Sequence, residues 1–177
     1  MRTLAPPDAE CHVLTFREGL LSGLGHDLEL AVTRFQIEID EQARRGRASF
    51  DASSLRVVRA LRDGAELPDG LSASDRAKIE QSTRSDVLDA ERHPEIRFQA
   101  TRADAVEGGY DIAGRLALHG AEREIVVPLR RDGDRYRAEV RLHQPDFGIR
   151  PYSALLGALK VQADVVVRVV LPVLAPS

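Results

Sequence analysis

Apolar and polar residues alternate with a period of two over most of the chain. Tyr110, Ile112, Leu116 and Leu118 alternate with Asp111, Ala113, Arg115 and Ala117. Tyr136, Ala138, Val140 and Leu142 alternate with Arg135, Arg137, Glu139 and Arg141. Ile96, Phe98 and Ala100 form a third face, Ile125, Val127 and Leu129 a fourth, and Val161, Ala163, Val165, Val167, Val169 and Leu171 a fifth. Each pattern predicts a strand with one wet and one buried side. Glu107-Gly108-Gly109, His119 to Glu122 and Asp132-Gly133-Asp134 separate them as short turns, so consecutive hairpins and an antiparallel meander follow.

Two early patterns change parity. Leu28, Leu30 and Val32 give way to Phe35, Ile37 and Ile39, and Ala48, Phe50 and Ala52 give way to Leu55 and Val57. A slip of one residue would flip the buried face, so a bulge or a corner is expected at both places. Long bent strands suit a sheet that closes on itself, and about eight strands are enough to enclose one small ligand. Ser72-Ala73-Ser74-Asp75 predicts a capped helix start with Ser72 as N-cap. Arg76 to Val87 carries only a thin apolar stripe around Ala77 and Ile79, which predicts a short surface helix inserted between strands.

Composition narrows the function classes. A chain of 177 residues that is 43% hydrophobic and 30% charged can bury a core without staples. The formal net charge is −3 and the basic residues form no patch, which excludes a nucleic-acid footprint. Lys78 and Lys160 are the only lysines; arginine supplies every other cation. Cys11 is the only cysteine, so neither an internal disulfide nor a cysteine-based zinc site is available. Met1 to Glu10 lacks the apolar stretch of a secretory signal and no run approaches a spanning helix, so the expected location is cytoplasmic with no membrane span.

Candidate chemistry is sparse. His12, His26, His93, His119 and His143 have no histidine partner within four residues, which disfavours a metal centre. No nucleophile elbow and no phosphate-cradling glycine loop occurs. Gly23, Gly25, His26 and Asp27 lie in Leu20 to Leu30. His26 and Asp27 could be a general base with its carboxylate, but neighbours on a strand point to opposite faces, so strand punctuation is the better reading. The stretch "DFGIRPYSALLGALKV", residues 146 to 161, is apolar yet interrupted by Gly148, Pro151 and Gly157. Something must cover it: the barrel mouth, a ligand or another subunit. It is expected to fold over one barrel end, with Leu155 and Leu156 nearest the opening.

Residues 88 to 131, "LDAERHPEIRFQATRADAVEGGYDIAGRLALHGAEREIVVPLRR", resemble the central signature of the YceI-like family. "SFDASSL" at 49 to 55, "LSASDR" at 71 to 76 and "DFGIR" at 146 to 150 follow the family order, so the resemblance spans nearly the whole chain. It implies an all-β fold: a single antiparallel, lipocalin-like barrel over 1 to 177, with the helical insertion near 72 to 90 and an apolar cavity that in some members holds a polyisoprenoid chain. The function expected is binding rather than catalysis, without cofactor or metal. The ligand is a hydrophobic small molecule, isoprenoid-like or fatty-acid-like. Its expected contacts are Leu28, Leu30, Phe98, Tyr110, Leu116, Phe147, Ile149, Tyr152, Leu155, Leu156, Val165 and Val167, with His26 and Arg150 as headgroup candidates. Two alternatives stay open: a metal-free hydrolase or isomerase using His26 and Asp27, and a filled barrel acting through its surface as an interaction or stress-response module. A homodimer is the subunit arrangement the apolar loop would allow.

Overall fold

The computed structural model describes residues 1–19, 25–40 and 45–173, and of Leu155 the backbone alone. The first half runs β1 (Arg2–Leu4), β2 (Glu10–Thr15), β3 (Arg17–Glu18), β4 (Asp27–Val32), β5 (Phe35–Asp40), β6 (Arg45–Asp51), β7 (Leu55–Arg62) and β8 (Ala65–Glu66). The helix α1 (Ala73–Ser82) precedes β9 (Glu95–Val106), β10 (Gly109–Leu118), β11 (Ala121–Asp132) and β12 (Arg135–His143). β13 (Ser153–Ala154), β14 (Leu159–Val161) and β15 (Asp164–Pro172) complete the chain. Among the described residues no helix is long and apolar enough to cross a membrane.

The fold is all-β with one short helix, built on a strongly curled antiparallel sheet that forms a half-barrel. Its twelve strands run β1-β5-β6-β9-β10-β11-β12-β15-β2-β4-β7-β8, and β13, β14 and β3 make a separate small sheet. Twelve replaces the expected count of about eight, and bends account for the difference. β1 and β2 are two halves of one bent strand that pair with β5 and β4, the two halves of the next. β6 and β7 likewise continue one another against β5 and β4. The two-residue β8 adds a last rung against Leu61 and Arg62. The meander β9 to β12 pairs in sequence order as its patterns predicted. The run expected from Val161 to Leu171 is interrupted, because Val161 ends β14 in the small sheet and β15 begins at Asp164.

Both parity slips lie at one corner. Ala52–Ser54 form a 3-10 turn between β6 and β7, beside the Thr33–Arg34 break between β4 and β5. Ser54 is wholly buried there. Its hydroxyl accepts the Arg34 backbone N–H at 3.1 Å and donates to the Asp51 carbonyl at 2.8 Å. The Ser54 carbonyl takes the Thr33 hydroxyl at 2.8 Å, and Asp51 receives Arg34 Nε and Nη2 at 2.9 and 2.7 Å. Polar atoms that a ladder would have satisfied are satisfied by the corner, so the buried face continues across the slip. A second irregularity falls between Ala113 and Gly114 in the β9–β10 pairing. A Cβ at Gly114 would lie 2.4 Å from Phe98 Cζ, so the missing side chain is the space the Phe98 ring occupies.

The helix begins as its sequence predicts: Ser72 Oγ accepts the Asp75 N–H at 3.1 Å and Asp75 Oδ2 accepts the Ser72 N–H at 3.1 Å. None of its residues is fully buried. Polar groups hold it instead. Arg76 donates to the carbonyls of Val57 and Val58 at 3.1 and 3.0 Å, and Glu80 accepts the Val57 N–H at 2.9 Å. The helix thereby satisfies main-chain groups of β7 that no strand pairs.

Two apolar clusters pack the interior. One joins Leu4, Cys11, Leu30, Val32, Phe35 and Leu55 with neighbours from the early strands; the other is centred on Leu116, Phe147 and Ile149.

Candidate functional site

The curl of the sheet encloses a cavity of about 1130 Å³. Its wall comes from the inward parity of the predicted strands. Ile112 and Leu118 on β10, Val127 and Leu129 on β11, and Val140 and Leu142 on β12 are representative. The same parity survives both corners, with Leu28, Leu30 and Val32 followed by Ile37 and Ile39, and Ala48 and Phe50 followed by Leu55. From the helical segment Ile79, Val87 and Leu88 close one side. The volume exceeds the roughly 300–1,000 Å³ of ordinary small-molecule pockets.

Exposure along this wall is informative. Val165, Val167, Val169, Ile125 and Val127 face inward yet are only half-buried, because part of each borders open space, although Val167, Val169 and Ile125 also pack against the apolar clusters. Leu30 and Leu116, at 2% and 6% exposure, are packed from behind as well as bordering it. The wall reaches the surface at Tyr152, 40% exposed, at the exposed Lys160 and Lys78, and also at the exposed Arg45 and Arg47. Away from these, Tyr110 is 41% exposed and lies 6.3 Å from Tyr136, centroid to centroid.

Most of the residues expected to contact a ligand come together here. Leu28, Leu30, Phe98, Tyr110 and Leu116 line the cavity, as do Phe147, Ile149, Tyr152, Val165 and Val167. Leu156 does not: it sits at φ 56°, which turns its side chain fully into solvent. The Leu155 side chain lies outside what the structure describes. Arg150 is exposed and is not part of the wall, whereas His26 is. The segment from Phe147 to Leu159 is also not a single cover. Phe147 and Ile149, 2% and 4% exposed, are core, while Ser153–Ala154 pairs with Leu159–Val161, which in turn pairs with β3.

His26 and Asp27 diverge. His26 Nδ1 lies 3.0 Å from its neighbour's carbonyl at Gly25, and a donated N–H there leaves Nε2 as the acceptor. Asp27 Oδ1 accepts the Arg17 backbone N–H at 2.9 Å and does not reach the wall. Arg17 Nη1 in turn donates to Gly25 at 3.0 Å, so the pair fastens the start of β4 to β3. Gly23 lies outside the described residues.

Sequence reading missed three histidine relationships. His12 Nδ1 is 2.8 Å from Glu29 Oε1, and Glu29 Oε2 is 2.8 Å from Arg59 Nε; the geometry makes these close ionic contacts of a 9% exposed glutamate rather than hydrogen bonds. His143 Nδ1 is 2.7 Å from Asp164 Oδ1; that contact, with Arg141 nearby, holds the Asp164 carboxyl below its ordinary range. The His93 and His119 rings meet at 4.7 Å. None of these residues borders the cavity. Among the described residues no three or more His, Cys, Asp or Glu side chains gather as metal ligands. Cys11 does line the wall, but burial pushes its thiol up to about 12, which removes it as a nucleophile near neutrality.

Comparison with known proteins follows the same outline. The pattern that defines the YceI-like domain matches residues 16–172. The fold is similar to that of BcnA from Burkholderia cenocepacia, at 15% identity and TM-score 0.59 over 92% of this chain and 94% of that one. It is also similar to a polyisoprenoid binding domain from Saccharophagus degradans implicated in plant cell wall breakdown, at 10% identity and TM-score 0.58 over 92% and 91% of the two chains. No curated protein matches the sequence.

Proposed function

This chain belongs to the YceI-like family, and from that membership we propose that it is a lipid-binding protein holding one elongated apolar ligand, isoprenoid-like or fatty-acid-like, in its cavity. The observation that carries the reading is the half-buried state of the inward valines on β15 and of Ile125 and Val127 on β11. A barrel filled by its own side chains would bury them. Their open surface is apolar and continuous with the mouth, so a hydrocarbon chain gains burial along its length. Burying ~400 Å² of it is worth about 10 kcal/mol before ordering costs.

The chain works as one domain of lipocalin-like type, its half-barrel wrapped around the ligand. Leu28, Leu30, Phe98, Tyr110, Leu116, Phe147, Ile149, Val165 and Val167 contact the hydrocarbon. Tyr152 and His26 stand where a polar headgroup would emerge. Binding rather than catalysis is favoured because Asp27 is engaged with the Arg17 amide and His26 Nδ1 with the Gly25 carbonyl, so the two do not form a base and its orienting carboxylate. Similarity to a domain named for polyisoprenoid binding supports the same ligand class.

Native mass spectrometry of protein from its own cells, followed by organic extraction, tests the proposal. A co-purifying long-chain lipid in one-to-one ratio is the expected result. Protein that carries no lipid and takes up no long-chain fluorophore would sink it.

A further inference from the structure

Leu156 is the most exposed large apolar residue described, at 110% relative accessibility, in a left-handed backbone that leucine rarely adopts. It forms the tip of a hairpin whose two strands are β13 and β14. That hairpin belongs to one edge of the cavity: Tyr152, Leu159, Lys160 and Val161 line it, and Tyr152 and Lys160 are exposed. The tip is mixed in character. Lys160 folds back along it, with Cε 3.2 Å and Nζ 3.9 Å from where a Cβ of Gly157 would be. Tyr152, amphipathic and 40% exposed, stands at the hairpin's base. The exposed Glu18 faces Lys160 across the β14–β3 pairing, with no ion pair within 4 Å between them.

We propose that the Leu155–Gly157 tip docks on a lipid bilayer surface, inserting Leu156 among the acyl chains so that the cavity mouth meets the membrane. The inference rests on the proposed lipid-binding function and adds the route by which ligand enters. An apolar side chain, an amphipathic ring and a cation at one edge are the set that anchors a protein at a bilayer interface. Lys160 supplies the complement to anionic headgroups. A cargo of long hydrocarbon resides in bilayers and crosses water slowly, so a carrier gains by opening directly onto its source. A second copy of the chain is the poorer occupant, since one protruding leucine offers a small part of the about 800 Å² per partner that a stable interface buries.

The test uses the intact chain with a pyrene-labelled fatty acid. Donor vesicles are made of phosphatidylcholine and phosphatidylglycerol in equal parts. Transfer rate from vesicles is measured beside equilibrium uptake of the same probe added without vesicles. For the unaltered protein, the transfer rate should rise with vesicle concentration. Leu156→Asp should slow transfer by roughly tenfold or more, the factor set by losing one leucine's burial. Leu156→Gly, which also relieves the backbone, should slow it in the same direction. Equilibrium uptake should stay unchanged in both. Transfer at the unaltered rate in both variants overturns the docking proposal alone, as does a Leu156→Asp effect confined to dissociation of a dimer in sedimentation. Absence of equilibrium uptake by the unaltered protein overturns the cavity reading beneath it.

Discussion

Ser54 accepts the backbone N–H of Arg34 on its buried hydroxyl at 3.1 Å, and this bond holds two bent strands in register across one corner. Ser54→Ala leaves the Arg34 amide and the Asp51 carbonyl without that partner. A loss of about 1–3 kcal/mol is expected. Urea titration should show a lower midpoint with unchanged slope. A variant as stable as the original would mean that water replaces the hydroxyl.

The same corner should depend on acid. Burial pushes the Asp51 carboxyl up, but the Ser53 hydroxyl, the Arg34 guanidinium and the Ser53 N–H together outweigh it and leave the group lowered. A carboxylate lowered in the folded state stabilises above its unfolded value and loses that contribution as pH falls through the folded one. Thermal stability should therefore drop on acidification below the ordinary carboxylate range, and Asp51→Asn should flatten that part of the profile. Parallel pH–stability curves for the two proteins would contradict the assignment.

Cys11 offers an opposite sign. Its thiol is raised from 9.0 to about 12 by burial, so folding favours the protonated form. That contribution is complete below pH 9.0 and is lost as pH climbs towards 12. Below pH 9.0 the folded protein should resist iodoacetamide, with alkylation appearing only on unfolding in denaturant. Rapid labelling of native protein would show that the wall opens at β2.

Half-buried and fully buried wall positions should respond differently to substitution. Val167→Trp projects into open space and should reduce uptake of a long-chain probe several-fold, with stability changed by no more than about 1 kcal/mol. Leu30→Ala removes packed atoms and should cost about 2–5 kcal/mol. Equal destabilisation by both changes would indicate that the space around Val167 is closed in solution.

Period-two patterning made most of the wall legible, because a strand that is dry on one side must place Val165 and Val167 together. The parity slips at Thr33–Arg34 and Ala52–Ser54 were readable for the same reason: hydrophobic faces cannot swap sides without a corner. The number of strands was not, since a corner divides a strand in a way that alternation alone does not count. Nor was the direction of Leu156. Its apolarity argued for cover, and only a left-handed φ sends it outward. Arg150, expected as a headgroup candidate, does not line the cavity, and an irregular loop has no parity from which its direction could be read. The meetings of His143 with Asp164 and of His93 with His119 join residues on different elements, and spacing along the chain does not show which elements come together.

The bonds from Arg76 and Glu80 to Val57 and Val58 have a consequence for self-association. A row of unsatisfied main-chain groups is a template on which another molecule can add a strand. Here a hydrophilic helix lies along part of that row and makes it unavailable. α1 thereby makes that part of β7 unavailable to an added strand, a task for which apolar packing is unnecessary and charged side chains suffice.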